Sequence, residues 1–359
     1  MAKILYLGDS DPNATSAHRA NALIRLGHTV VVRDPVKLVS ESPMLRFTGP
    51  LHYRTGYRLL QPKLIHWVEE IVNTHSKPDL IWVSGGELLG MNCLKLLKKF
   101  SCPIVLYNND DPTGGRDGRR FDLLLKALPY YDLCAVMRDI NVSEYKAEGA
   151  HNVLKVHMSY DEVAHQPFVQ VSDIPLAYRS DVAFVGTWMR NEKRDEFLLE
   201  LIRQGLPLNI WGNSWKKSPH WKALQVAYRG SALRGRDYVA AVQGAKICLG
   251  FLSKGNRDLH TQRSLEVPFA GGLFCAERTS EHLAMYREGI DAVFWSDAQE
   301  CASICHQLLN DASQREAIRS SGMRRVRELR VGNEDVCKQV LNVAFGNSIL
   351  PVSSYQSYI

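Results

Sequence analysis

Basic residues and a predicted helix start lie close together in the stretch from Ser253 to Gly272. Its first half is polar and carries Arg257, His260 and Arg263, and its second half is an apolar turn of helix followed by two glycines. Backbone N–H groups at a helix N-terminus, with cations beside them, bind anions such as a diphosphate. Glu266, one turn later, would accept hydrogen bonds from sugar hydroxyls. A solvated loop leading into an ordinary surface helix is the alternative that this stretch leaves open.

Length and charge limit the class of protein that carries this stretch. A chain of 359 residues exceeds the length over which one hydrophobic core keeps growing, so two domains are expected. Lysine and arginine outnumber aspartate and glutamate by 44 to 38, which favours anionic ligands without requiring nucleic acid. The N-terminus enters a short apolar strand directly, without a signal peptide, and no apolar run is as long as a membrane span. We therefore expect a soluble, cytoplasmic protein.

The cysteines and glycines argue against metal and cofactor chemistry. The eight cysteines lie mostly in apolar runs, as small core residues in a reducing compartment do. Cys301 and Cys305 share a helix face, but no Cys-x-x-Cys pair or histidine at zinc spacing accompanies them, so no metal site is predicted. The chain contains neither a Walker loop nor a Gly-x-Gly-x-x-Gly after a strand, which argues against nucleotide hydrolysis and nicotinamide chemistry. No tightly bound cofactor is expected.

The first half of the chain alternates short β-branched or aromatic runs with longer amphipathic segments. Near-continuous apolar strands separated by helices predict a parallel sheet covered on both faces, and hence a doubly wound α/β domain. The predicted strands are Ile4–Leu7, Thr29–Arg33, Leu80–Val83, Ile104–Tyr107, Leu133–Val136 and Val153–Val156, and the predicted helices are Ser16–Leu26, Pro62–Asn73, Leu88–Phe100 and Arg119–Leu128.

The second half repeats this pattern after a break. Periodicity lapses from Ser159 to Ser180, which places a domain boundary near residue 170. The expected fold class is α/β, with two doubly wound, Rossmann-like domains facing across a cleft, over residues 1–169 and 170–332, followed by a helix and tail over 333–359. The predicted strands are Val182–Val185, Leu208–Trp211, Lys246–Leu249, Leu273–Ala276 and Ala292–Trp295, and the helices are Glu192–Arg203, Asp237–Gln243, Glu281–Arg287, Glu300–Leu309, Ser313–Leu329 and Asn333–Val343.

Loops that follow the strands of the second half carry further ligand-binding residue types. In open α/β sheets, ligands bind beyond the carboxyl ends of the strands. A glycine turn with Arg190 follows the first strand, and Trp211-Gly-Asn-Ser-Trp follows the second. Tyr228-Arg-Gly and Asp237-Tyr come before the opening stretch. These loops favour the anion site over the solvated loop.

The order of these motifs resembles the carboxyl-terminal half of the CgeB-like glycosyltransferases, which belong to the two-domain GT-B superfamily. The matching motifs are Phe184-Val-Gly-Thr with a later Arg, Ile210-Trp-Gly-Asn-Ser-Trp, Tyr228-Arg-Gly, Asp237-Tyr and Arg263-Ser-Leu-Glu-Val-Pro-Phe-Ala-Gly-Gly. The resemblance covers roughly residues 180 to 330 well and the first half only generically. It implies a nucleotide-sugar in the second domain, an acceptor mostly in the first, and a C-terminal helix that crosses back onto the first domain.

The resemblance also implies roles for particular residues. Gly186 and Arg190 would contact the diphosphate from one side and the Arg263–Ser264 helix start from the other. The segment from Trp211 to Trp215, with Tyr228-Arg-Gly, would surround the base, and Glu266 would hold the ribose. Asp258 stands where the retaining pattern has a glutamate, so a retaining mechanism is not presumed. The full predicted nucleotide-sugar set is Gly186, Thr187, Arg190, Trp211, Gly212, Asn213, Trp215, Tyr228, Arg229, His260, Thr261, Arg263, Ser264 and Glu266.

Candidate catalytic groups lie in the first half. An inverting transfer needs a base for the acceptor proton, and Asp9 or His18, in the loop and helix after the first strand, would supply one. Asp111, after the Ile104–Tyr107 strand, is a further candidate. The alternatives are an ordinary helix histidine and a turn or helix cap before Pro112. Asp9-Ser-Asp has the form of the metal-binding Asp-x-Asp motif of the other glycosyltransferase fold, but that motif follows a nucleotide-binding half and this one follows the first strand. A metal-independent reaction is therefore expected, with cations stabilising the departing diphosphate.

The leading hypothesis is a glycosyltransferase that uses a nucleoside-diphosphate sugar, with UDP favoured and GDP or dTDP as alternatives. The acceptor is open: a glycan, a protein, a small molecule, a nucleic acid or another anionic polymer. The aromatic and basic segment Arg46–Arg58 would suit an acceptor-side flap or a mobile loop. A non-catalytic nucleotide-sugar-binding module and a nucleotide-sugar epimerase of the same architecture are the competing hypotheses. The sugar, the base, the stereochemical outcome and the oligomeric state stay open.

Overall fold

The computed structural model describes residues 1–40 and 43–346, without the side chains of residues 43–48. The chain forms two compact units. The first contains Met1–His157, Gly255–Arg257 and the segment from Asn333, and the second contains Met158–Lys254 and Asp258–Gly332. Residue 170, the predicted boundary, thus lies inside the second unit. The predicted tail beyond residue 346 lies outside the described residues.

The first unit is built on a parallel six-stranded sheet in the order β2-β1-β3-β4-β5-β6. Its central strands are buried along almost their whole length, which explains why they read as continuous apolar runs. All six strands were predicted from the sequence, and the sheet confirms the doubly wound fold. The strands are β1 (Lys3–Leu7), β2 (Thr29–Arg33), β3 (Leu80–Ser84), β4 (Ile104–Tyr107), β5 (Leu133–Val136) and β6 (Val153–Lys155).

Eight helices of the first unit are described, and seven of them connect its strands. The eighth packs against α1, where Arg25 Nε donates to Glu334 Oε1 over 2.7 Å. The segment proposed as a flap or mobile loop instead contains a helix, of which residues 46–48 have side chains outside the described set. The helices are α1 (Thr15–Arg25), α2 (Pro35–Ser40), α3 (Pro43–Arg54), α4 (Gln61–Thr74), α5 (Met91–Leu97), α6 (Asp122–Ala127), α7 (Asp139–Ala147) and α15 (Asn333–Ala344).

The second unit repeats the architecture with a parallel sheet in the order β12-β11-β10-β7-β8-β9. The short last strand in that order, at Tyr228, was not predicted. The strands are β7 (Ser180–Val185), β8 (Leu208–Trp211), β9 (Tyr228–Gly230), β10 (Ala245–Gly250), β11 (Phe274–Glu277) and β12 (Val293–Trp295); the helices are α8 (Arg194–Arg203), α9 (Trp221–Leu224), α10 (Gly235–Gly244), α11 (Arg263–Phe269), α12 (Ser280–Met285), α13 (Ala298–Asn310) and α14 (Ala312–Glu328).

The parallel sheets indicate where ligands can bind. Because all strands of a sheet are parallel, their carboxyl ends share one edge, and the loops that follow them are the natural ligand-binding elements of each unit. None of the described helices is both long and apolar enough to cross a membrane.

Candidate functional site

The loops after β7 and β8 are joined by hydrogen bonds at the carboxyl edge of the second sheet. Gly186 N donates to Trp211 O over 2.8 Å, and Trp215 Nε1 donates to Gly186 O over 2.9 Å. A Cβ atom on Gly212 would lie only 1.9 Å from Gly186 O. Gly212, a member of the predicted nucleotide-sugar set, is therefore required for the approach of one loop to the other.

The aromatic residues predicted to surround the base are mostly used in packing. Trp211 and Trp215 are buried, and Trp215 meets the Phe184 ring edge-on at 6.0 Å between centroids. Tyr228 is half-buried and donates its hydroxyl to Gly212 O over 3.3 Å. Both tryptophans are therefore structural supports for the loops that carry the exposed groups.

The polar members of these loops lie at the surface. Thr187 is exposed, and Asn213 is exposed and accepts a hydrogen bond from Ala232 N over 3.1 Å. Arg229 is also exposed and donates to Val226 O over 2.8 Å. It lines an open groove with Tyr178. Thr187, Asn213 and Arg229 are thus members of the predicted nucleotide-sugar set whose side chains are accessible.

Arg263, the first residue of α11, is anchored at one atom and accessible at the others. Its Nε donates to Val185 O, at the end of β7, over 2.8 Å. The two terminal nitrogens of this half-buried side chain bond to none of the described residues. Arg190 is exposed and likewise has no partner within the described part of the chain. A guanidinium held at Nε presents its terminal nitrogens in a fixed orientation, which suits bidentate binding of phosphate oxygens.

Glu266 is a buried carboxylate with two partners. Tyr238, on α10, donates its hydroxyl to Glu266 Oε2 over 2.9 Å, and His165 Nε2 lies 3.6 Å from Oε1. Asp161 N donates to His165 Nδ1 over 2.8 Å, so in the neutral imidazole the proton is on Nε2 and faces Glu266. Burial, followed by the nearby Glu266 charge, holds the pKa of Tyr238 well above its usual range. Tyr238 thus orients one oxygen of Glu266, and His165 lies beside the other.

The start of α11 is held by a chain of hydrogen bonds in which every proton can be assigned. His282 Nδ1 lies 2.7 Å from the carbonyl oxygen of Glu277 and must donate to it, so Nε2 accepts from Ser264 Oγ over 2.8 Å. Ser264 Oγ in turn accepts from Thr261 N over 3.0 Å. Burial lowers the pKa of His282 to about 4, so its imidazole is neutral at pH 7.

These bonds determine what α11 can offer to a ligand. The side chain of Ser264 is buried and engaged, and the N–H groups of Ser264, Leu265 and Glu266 bond to the carbonyls of the preceding turn. His260 is also buried, accepts from Met158 N over 3.2 Å and donates Nδ1–H to Glu281 over 2.5 Å. Thr261 is half-buried. Ser264 and His260 therefore position Arg263 and Glu266.

In the first unit, Asp9 follows β1 and lines a cavity of about 240 Å³ at the carboxyl ends of β1, β3 and β4. It is half-buried, and its Oδ1 accepts from Asp11 N over 2.9 Å. His18 lies on α1, is half-buried and is not among the residues that line this cavity. The geometry thus favours Asp9 over His18 as a group that meets a ligand in this cavity.

Asp111 lies in an ion-pair cluster. Its side chain is fully buried, and Arg257 donates to it from Nε over 2.6 Å and from Nη2 over 2.8 Å. Asn141 Nδ2 donates to the same carboxylate over 2.8 Å, and Arg257 also binds Glu144. Burial raises the pKa of Asp111, but the hydrogen bonds from Arg257 and Asn141 outweigh it, so its pKa is below the usual value. A carboxylate with both oxygens bonded is a weak base. Arg257 belongs to the first unit and holds the Asp111 carboxylate in place.

Replacing Arg257 with alanine should destabilise the protein, because it leaves a buried carboxylate without its cation. We expect the free energy of unfolding at pH 7 to fall by about 1–3 kcal/mol, measured by urea denaturation. The folded-state pKa of Asp111 is lowered, so the pair stabilises the fold above about pH 4 and ceases to do so as the pH falls through the folded value. The effect of the substitution should therefore shrink towards pH 3.

The exposed Arg119, which pairs with Asp122 over 3.2 Å, supplies the matched control. Arg119→Ala should cost less than about 1 kcal/mol, since exposed pairs contribute little. An effect of Arg257→Ala no larger than that of Arg119→Ala, or equal effects of Arg257→Ala at pH 3 and pH 7, would contradict the assignment of Arg257 as a buried-charge partner.

One group of possible metal ligands occurs in the described part of the chain. The sulfur atoms of Cys275, Cys301 and Cys305 lie within 4.8 Å of one another, and all three side chains are buried. The sequence indicated that Cys301 and Cys305 share a helix face, but the spacing of residues along a helix could not show that Cys275, on β11, lies beside them. Hydrogen bonding to Cys275 and Cys301 lowers the pKa of Cys305, whereas the pKa values of Cys275 and Cys301 are raised. The group lies in the apolar core of the second unit.

The chain is similar to known proteins in part of its sequence and in its fold. No curated protein matches the chain in sequence. Residues 190–339 match the model of a family described as glycosyl transferase-like. Among solved structures, HepE from Anabaena, in complex with UDP and glucose, superposes with a TM-score of 0.67 at 12% identity, over 96% of this chain and 100% of that chain. The fold is that of the GT-B glycosyltransferases.

Two further GT-B structures also match this chain over nearly its whole length. Sucrose-phosphate synthase from Thermosynechococcus elongatus gives a TM-score of 0.68 at 14% identity, over 97% of this chain and 100% of that one. The trehalose 6-phosphate synthase from Burkholderia multivorans gives 0.60 at 13% identity, over 98% of each chain. The glycosyl transferase-like segment contains Arg190, Arg263 and Glu266, whereas Asp9 and Asp111 precede it. The narrower CgeB-like assignment stays a prediction.

Proposed function

We propose that the protein is a glycosyltransferase that transfers a sugar from a nucleoside-diphosphate sugar, with UDP as the favoured nucleotide. The observation that carries this proposal is Arg263: a guanidinium anchored to the end of β7, with accessible terminal nitrogens, inside a segment that matches a glycosyl transferase-like family. HepE, a structural neighbour, was solved with UDP, which supports the choice of nucleotide.

The second unit would hold the donor. Arg263 and Arg190 would bind the diphosphate and stabilise the negative charge that develops on it as the bond to the sugar breaks. Glu266 would accept hydrogen bonds from the ribose hydroxyls, in an orientation determined by Tyr238. Because two cations serve the departing diphosphate, the reaction is proposed to proceed without a metal ion.

The first unit would supply the base. Asp9 is proposed to take the proton of the acceptor hydroxyl, because it lines a cavity and one of its oxygens has no bond to a side chain of the described residues. The oxygen of that hydroxyl would then attack the anomeric carbon of the sugar as the nucleoside diphosphate leaves. Asp111 is a less suitable base because Arg257 and Asn141 occupy its oxygens.

A ligand screen tests this function. The full chain is titrated with UDP, GDP, dTDP and their glucose conjugates while its thermal midpoint is measured, and we expect UDP to give the largest increase. Slow release of UDP from a UDP-sugar without acceptor would support a transferase. Conversion of the donor to an isomer of equal mass would favour an epimerase, binding without turnover would favour a binding module, and no stabilisation by any nucleotide would overturn the proposal.

A further inference from the structure

The cavity beside Asp9 contains a buried cation that the proposed transfer reaction does not use. Arg19, on α1, is 2% exposed and lines this cavity. Its guanidinium lies 3.7 Å above the centroid of the Tyr107 ring, and Nη1 donates to Ser84 Oγ over 3.3 Å. The buried Nε has no hydrogen-bond partner among the described residues. Arg19 thus lies at the wall of a cavity with part of its hydrogen-bonding capacity unused.

No described carboxylate neutralises this cation. Three acidic residues line the same cavity, but none forms an ion pair with Arg19. Glu87 and Asp110 both pair with Arg120, at 2.9 and 3.2 Å, and Asp9 accepts from the backbone. Arginine stays protonated in proteins, and burying an unpaired charge is costly unless a partner compensates for it. Stacking on Tyr107 compensates for only part of that cost.

The first turn of α1 faces the same cavity and also lacks a partner for its positive end. Thr15 and Ser16 line the cavity, and the helix has eleven residues. Ala14, at its N-cap, offers no side chain that could cap the helix, and its first turn contains no acidic residue. Uncapped N–H groups at a helix N-terminus favour an anion. Two independent features of one cavity therefore call for negative charge.

Three of the residues that line this cavity are glycines. Gly85 and Gly86 follow β3 with φ angles of +88° and +86°, a backbone conformation that favours glycine. A Cβ atom on Gly8 would lie 2.4 Å from Ser16 Oγ, so the loop after β1 can pass close to α1 only without a side chain there. The cavity of about 240 Å³ is large enough for a small group and too small for a folded partner.

We infer that this cavity binds the anionic group, a phosphate or a carboxylate, of a small acceptor, with Arg19 and the start of α1 as its ligands. The inference rests on the proposed glycosyltransferase function. It narrows the acceptor to a small polyhydroxylated anion whose hydroxyl lies near Asp9. Arg19 is a binding residue here, and it acts on the acceptor and not on the nucleotide.

Binding to the full chain without nucleotide tests the inference directly. The probes are glucose 6-phosphate, glucuronate, inorganic phosphate and uncharged glucose, measured by calorimetry. Wild-type protein should bind at least one charged sugar at least tenfold more tightly than glucose, and the two charged sugars distinguish a phosphate from a carboxylate site. Equal affinities for charged and uncharged sugars would overturn the inference without the need for any variant.

Two variants separate this site from the donor site. Arg19→Met keeps an unbranched side chain, although a shorter one, and removes the charge, so the preference for the charged sugar should disappear while the UDP affinity changes less than twofold. Ala14→Asp places a carboxylate at the helix start, so it should raise the thermal midpoint and also abolish binding of the charged sugar. A charged-sugar preference that survives both variants would refute the assignment.

The outcomes for the two proposals are distinguishable. If Arg19→Met weakens UDP binding as much as sugar-phosphate binding, the cavity serves the nucleotide and the acceptor inference is wrong. If wild-type protein binds a charged sugar through Arg19 but no nucleotide, the glycosyltransferase proposal fails while the anion site stands.

Discussion

Replacing Arg263 with alanine should lower kcat/KM for a UDP-sugar about 100-fold, or about 3 kcal/mol, the loss expected for charge-assisted hydrogen bonds. The structural reason is that Nε is held by Val185 O, so the accessible terminal nitrogens point in a fixed direction. The same variant should lose the preference for UDP over UMP, because that preference depends on the second phosphate. Affinities for UDP and UMP, measured by calorimetry on one preparation, provide this ratio independently of the active fraction.

The matched control for Arg263 is Arg203, an exposed arginine in the last turn of α8 that pairs with Glu200. Arg203→Ala should leave both kcat/KM and the UDP-to-UMP ratio unchanged. If Arg263→Ala retains the wild-type ratio, the guanidinium does not contact the diphosphate. If Arg203→Ala lowers the UDP-to-UMP affinity ratio to the same extent, the effect comes from the net charge of the protein.

The second large effect is expected at Glu266. Glu266→Ala should weaken UDP binding by about 10- to 100-fold, the range for lost hydrogen bonds to a charged group. The specific test is discrimination against the ribose hydroxyl: wild-type protein should bind 2′-deoxy-UDP or 3′-deoxy-UDP more weakly than UDP, and the variant should bind all three alike. It should retain the UDP-to-UMP preference that Arg263→Ala loses.

Tyr238→Phe is the control for this prediction. It removes the hydroxyl that donates to Glu266 Oε2 but leaves the carboxylate, so discrimination against the deoxyribose analogues should weaken only partly. A Glu266→Ala protein that still distinguishes UDP from its deoxy analogues would show that the carboxylate does not hold the ribose. In that case its buried contacts with Tyr238 and His165 would be purely structural.

The sheets were predictable because their strands are buried on both faces and therefore read as uninterrupted apolar runs. Helix α3 was not predicted, because Thr48-Gly49-Pro50 places weak helix formers inside it. Helix α7 was missed because β-branched and short polar residues occupy its first turns. Tertiary packing overrides local propensity in both helices.

Residue type indicated the candidate site, but side-chain direction did not follow from it. The segment from Trp211 to Trp215 was predicted to surround the base, yet both tryptophans are buried, because the same residue types occur in binding sites and in cores. Arg19 was overlooked although a signal exists: Ser16, Arg19, Ala20 and Leu23 are buried on one face of α1, so the helix places an arginine where an apolar residue is expected. A cation on the apolar face of a helix is thus a sequence signal of a buried polar site.

The neutral imidazole of His282 has a consequence for enzyme kinetics. Because burial lowers its pKa to about 4, the bonds that hold Ser264 and the start of α11 do not titrate between about pH 5 and pH 9. An acidic limb in the pH dependence of kcat/KM near pH 6 would therefore report some other group, such as the acceptor or its base. Below about pH 4, protonation of Nε2 removes its ability to accept from Ser264, so displacement of α11 would contribute to any loss of rate there.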